Sequence, residues 1–197
     1  SMPAIDLARL KTQAARLADK FAEPEAFLRD LNEMLDFYTN RTIRTTQVVQ
    51  RLSAPTYNTP RPVLRQIESE LDTLAEKAPR EAVVLVKVLW KADSLEARLL
   101  AAYLLGRIPP DQAMPVLPLL PDWLNQSTDK EIRTALLTNA LKRLRQEEPE
   151  SFFSILEGWL GSPQPAQQVW GFQALNPLLH DPHFQNLTAV FRILRPA

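Results

Sequence analysis

A block that begins at a proline, ends its first apolar run on a tryptophan and resumes after a short polar turn occurs three times in tandem. Such a chain buries its apolar faces only by stacking each unit on the next. The first block runs from Pro79 to Leu89-Trp90-Lys91-Ala92-Asp93-Ser94, with its second run over 96–105. The next runs from Pro110 to Asp122-Trp123-Leu124-Asn125-Gln126-Ser127, with its second run over 131–144. The last runs from Pro149 to Gly158-Trp159-Leu160-Gly161-Ser162, with its second run over 167–179. Trp90 and Trp123 are 33 positions apart, and Trp123 and Trp159 are 36 apart. This spacing suits paired helices, with Ser94, Thr128 and Ser162 offering side-chain caps to the second helix of each pair. A structural anchor at the end of each first helix explains all three tryptophans together.

Helical periodicity extends through most of the rest of the chain, and alternating strand patterns are missing. Ile5, Leu7, Leu10, Ala14, Leu17, Ala18 and Phe21 share a face. A second helix is expected over 24–38, striped by Phe27, Leu28, Leu31, Met34, Leu35 and Tyr38, and a third over 42–52. Between residues 53 and 62, three prolines forbid a helix by removing donors and restricting their predecessors. The expected fold is all-α, a HEAT-like superhelix of antiparallel helix pairs in a single domain over 1–197. Its parts are N-terminal helices over 1–52, a repeat array over 62–181 and a capping helix over 182–197.

Composition removes whole classes of chemistry. Without cysteine there is no disulfide, thiolate metal site or cysteine nucleophile. The two histidines, His180 and His183, lie in one short segment, so no metal site is expected. Four glycines form no phosphate-cradling loop, so neither a nucleotide cofactor nor any other cofactor is expected. Arg98 and Arg107 flank the most apolar stretch, so no membrane span is expected. The beginning of the chain has no secretory pattern, which makes the cytoplasm the expected location.

Charge is balanced overall, with 23 Lys plus Arg against 23 Asp plus Glu, whereas a dedicated nucleic-acid binder often has a pI above about 9. It is uneven locally. No acidic residue lies between Phe37 and Ile67, a segment that holds Arg41, Arg44, Arg51, Arg61 and Arg65. Guanidinium groups clustered in this way suit phosphate contacts. The alternative is a solvated face neutralised by Glu68, Glu70 and Asp72. The acidic run Gln146-Glu147-Glu148-Pro149-Glu150 reads as a solvated turn.

Three motifs carry a resemblance. In Tyr57-Asn58-Thr59-Pro60-Arg61-Pro62-Val63-Leu64-Arg65, an aromatic turn leads into Pro-x-Leu-Arg. Leu89-Trp90 is followed by Glu96-Ala97-Arg98, and Glu157-Gly158-Trp159-Leu160-Gly161-Ser162 forms a Glu-x-Trp-x-x-Ser turn. Together, over roughly 48–180, they resemble the AlkD-like DNA alkylation repair family, with Asn58 where that family has glycine. The resemblance implies a HEAT-like array whose concave basic surface holds duplex DNA. It also implies, for some members, excision of cationic N3- or N7-alkylated purines, with aromatic rings and a carboxylate stabilising the developing positive charge.

Carried over by position, the resemblance puts the first catalytic tryptophan at Trp123 and the carboxylate at Ser127, which cannot supply the charge. Asp129 takes that role if the turn carries a two-residue insertion. Gln167-Gln168-Val169 stands where the family has an arginine, and the array is expected to be shorter at its C-terminal end than the family's. Trp170 and Phe172, at i and i+2, cannot share a helix face, so one is expected in the core and the other on the concave, aromatic side of the groove. The leading reading is a duplex-DNA-binding module with little or no catalysis, gripping through Arg41, Arg44, Arg51, Arg61 and Arg65. The alternatives are a glycosylase using Trp123 and Asp129, and a protein-interaction scaffold with a protein partner.

Overall fold

The computed structural model describes residues 5–39, 54–182 and 187–194. Helix α1, Leu7–Ala18, starts at Asp6, whose carboxylate accepts from the backbone N–H groups of Ala8 and Arg9. Proline opens α2, Pro24–Phe37, and stands in the first turn of α3, Arg61–Leu71. It does so because a first-turn residue needs no intrahelical N–H and proline's φ is already helical. A short α4, Leu74–Lys77, leads into α5, Pro79–Lys91, and α6 follows over Leu95–Leu105. Then come α7, Leu120–Gln126; α8, Lys130–Thr138; α9, Lys142–Glu147; α10, Pro149–Leu160; α11, Pro165–Leu179; and α12, Leu187–Leu194. Among the described residues there is no strand.

The helices form a solenoid of two layers. In one layer α1, α3, α6, α8 and α11 lie side by side in that order. Behind them α2 packs on α5, α5 on α6, α7 on α8, and α10 on α11, with α12 against α10. The apolar residues between the layers form one continuous core from Leu10 through Leu100 and Leu136 to Leu178.

The middle pair departs from the expected pattern. Its first helix shrinks to α7, preceded by a 3-10 turn at Leu117–Leu119, because Pro115, Pro118 and Pro121 withhold donors from the approach. Its second helix, expected as one run over 131–144, breaks after Thr138. There both Asn139 and Ala140 donate their N–H to the carbonyl of Ala135, and the Arg145 guanidinium takes up the carbonyl of Thr138. Ser94 caps α6 as expected, accepting from Ala97 N–H, but Asp129 rather than Thr128 caps α8. The Ser162 hydroxyl accepts from Gln164 N–H within the turn and leaves α11 without a side-chain cap. The helix expected over 42–52 lies outside the described residues. The expected closing helix is α12, starting at Leu187.

Candidate nucleic-acid groove

Between α3 and α8, with Leu99 of α6 on its floor, lies a groove of about 950 Å³. One wall is built from α3. Val63, Ile67 and Leu71 are buried, which turns Arg61, Leu64, Arg65 and Glu68 toward the groove at helical spacing. The other wall is the start of α8, Thr128 to Glu131, continued by Thr134 and Thr138.

The approach to α3 is held from α6. Glu96 is only 2% exposed, and its carboxylate accepts from the Thr56 hydroxyl at 2.7 Å and from Tyr57 N–H at 2.7 Å. Leu95 N–H donates to the carbonyl of Pro55, and Asn58 N–H to the Thr56 hydroxyl. Asn58 has φ 51°, the left-handed conformation that glycine adopts freely and asparagine tolerates. Asparagine at this position therefore fits the backbone of the family's glycine turn. Nothing local in the sequence marks Glu96 as this clamp. The only signal was its place in the Glu-x-Arg motif.

The arginine of that motif has a separate job. Arg98 reaches the Trp90 carbonyl at 3.1 Å and Asp93 at 3.0 Å, with its guanidinium carbon 4.4 Å from the centre of the Trp90 ring. Trp90 in turn stacks on Trp123, centroids 4.4 Å apart and planes 8° from parallel. Trp123 is buried and does not line the groove, so its ring serves as a packing element between helix pairs. Ser127, where the resemblance led the carboxylate to be expected, is buried and donates its hydroxyl to the Trp123 carbonyl.

The structure thus brings Arg61, Arg65 and Asp129 to one groove and keeps Trp123 apart from it. Trp170 is the core residue of its pair, edge-on to Trp159 at 5.8 Å. Phe172 is 57% exposed on α11 and is not among the residues lining this groove. Arg41, Arg44 and Arg51 lie outside the described residues.

Electrostatically the groove is mixed. Arg61 and Arg65 make no ion pair among the described residues, whereas Arg98, Arg107 and Arg143 elsewhere are paired with carboxylates. Asp129 uses one oxygen to accept from Glu131 and Ile132 N–H. Burial raises the Glu68 carboxyl above its ordinary range, and Arg65 partly opposes this. No group of three potential metal ligands occurs among the described residues, and no described helix is long and apolar enough to cross a membrane.

Neither a curated protein nor a solved structure matches the chain significantly. The family model described as DNA alkylation repair enzyme matches residues 33–195. That span takes in both groove walls, the Glu96 clamp and the tryptophan stack, and the chain belongs to the DNA alkylation repair enzyme family.

Proposed function

We propose that this chain binds duplex DNA in the groove between α3 and α8, through Arg61, Arg65 and Lys130, and does so without excising a base. The observation that carries this reading is a pair of guanidinium groups, one helical turn apart and without an ion pair among the described residues, on a groove wall held in place by a buried clamp. Planar guanidinium groups suit bidentate contact with phosphate. No aromatic ring lines the groove among the described residues, and Trp123 is committed to Trp90, so support for a base-holding pocket is missing where backbone contacts are well supported.

The test is fluorescence anisotropy with a labelled duplex across salt concentration. Removing one arginine–phosphate interaction should reduce the slope of log K against log salt by about 0.9, so Arg61→Ala with Arg65→Ala should reduce it by about 1 to 2. An unchanged slope would refute the assigned phosphate contacts.

A second reading, base excision, is favoured by one observation: Asp129 lines the same groove as the two arginines. Asparagine caps a helix about as well as aspartate, so Asp129→Asn removes the charge while keeping the start of α8. If the chain excises cationic alkylpurines, this variant should lose base release from methylated duplex. Release that survives it, or that never occurs in the unmodified protein, sinks the excision reading.

A further inference from the structure

Three carboxylates line the groove, and they are not equivalent. Asp129 is held by two backbone N–H groups of α8, and Glu131 is exposed in the first turn of that helix. Glu68 is half-buried, accepts no hydrogen bond among the described residues, and lies one turn beyond Arg65 on the groove face of α3. A carboxylate placed so opposes any polyanion that enters, because like charges brought together across an interface repel.

We propose that Glu68 sets the affinity of the groove, taking up a proton when a nucleic-acid backbone enters, so that binding is proton-linked through this side chain. The inference rests on the DNA-binding reading. The groups around Glu68 leave it as the natural site of that proton. From α3 it shares the groove face with Arg61 and Arg65. From α6, Leu99 lines the same groove and Tyr103 interacts with Glu68 electrostatically, a phenol that burial and Asp72 hold above the ordinary range. Across the groove stand Asp129, Lys130 and Glu131 of α8, while α1, on the far side of α3, contributes no residue to the walls.

Burial already favours the neutral acid in the free protein. Phosphates and the loss of water on binding push in the same direction, so the carboxyl is protonated at higher pH in the complex than in the free chain. Between those two values the complex holds one more proton, and affinity rises as pH falls, by at most about tenfold per pH unit.

The experiment measures Kd for an unmodified labelled duplex at fixed ionic strength, from neutral pH down into the carboxylate range. It uses the full chain, Glu68→Gln, Glu68→Ala, and a control carrying Asp129→Asn with Glu131→Gln. The full chain and the control should bind more tightly as pH falls. Both Glu68 variants should bind on the order of tenfold more tightly than the full chain at neutral pH, with a flatter profile. Binding by all proteins with one shared pH profile overturns this inference and leaves the DNA reading standing. Weaker binding by both Glu68 variants overturns it too, by making Glu68 a direct contact. No binding by any protein at low salt overturns both readings.

Discussion

At the scale of single residues, the groove combines side chains with structural duties and side chains without them. Asp129 has one: it holds two N–H groups at the start of α8. Asp129→Ala should therefore cost about 1 kcal/mol in urea unfolding, while Asp129→Asn should retain most of that. Equal losses in both variants would show that charge, not capping, is what α8 needs. Glu68 has the opposite character. Its folded-state carboxyl is raised, so its contribution to stability is fully present below the unfolded value and is lost as pH rises through the folded one. Glu68→Gln should accordingly unfold at higher urea than the parent at neutral pH, with the gap closing on the acid side of the ordinary glutamate range. No gap at neutral pH would contradict this. Arg61 and Arg65 could be nominated from the sequence because an acid-free stretch is visible in one dimension. The roles of Asn58 and Glu96 could not, since the clamp joins Glu96 to Thr56 and Tyr57, about forty positions earlier.

At the scale of elements, helix beginnings were legible because proline acts locally: Pro24, Pro62, Pro79, Pro149 and Pro165 all stand in first turns. The break after Thr138 was not, because it is bound up with a contact between elements. A Cβ at Gly106, at the end of α6, would lie 1.8 Å from the carbonyl oxygen of Asn139, so the chain turns there over a residue with no side chain. The obstacle is backbone and cannot swing aside. Gly106→Ala should cost at least about 1–3 kcal/mol by denaturant unfolding, the range of ordinary overpacking, and should weaken DNA binding by separating the α6 end from the α8–α9 turn. Gly158 supplies the contrast: it is exposed within α10, and an added Cβ would meet nothing within 4 Å. Gly158→Ala should stabilise by about 0.5–1 kcal/mol, since only the entropy and helix-propensity terms remain. Matching effects at the two glycines would refute the close approach of α6 and the α8–α9 turn.

At the scale of the whole molecule, three tryptophans that are equivalent in sequence do two different jobs. Trp90 and Trp123 stack across neighbouring pairs, from α5 to α7, with Trp90 Nε1 also donating to Gln126 at 3.4 Å. Trp159 instead packs edge-on to Trp170 within its own pair. The repeat was visible as a recurring residue at nearly constant spacing, but the partner of each ring depends on how successive pairs are stacked, which spacing does not encode. In a solenoid, stability is a sum of unit terms and neighbour interfaces, so a defect at one interface uncouples what lies on either side. Trp123→Ala removes the ring that joins the α5–α6 pair to its successor and should cost about 3–5 kcal/mol. A double-mutant cycle with Trp90→Ala should return a coupling of about 0.5–1.5 kcal/mol beyond the separate losses. Amide exchange gives the spatial reading. In Trp123→Ala, protection should fall across α7 to α12 while α1 to α6 keep most of theirs, because the latter stay packed on one another through α3 and α5. A uniform loss from α1 to α12 would mean that the two layers unfold as one cooperative body and that the tryptophan stack is no boundary between units.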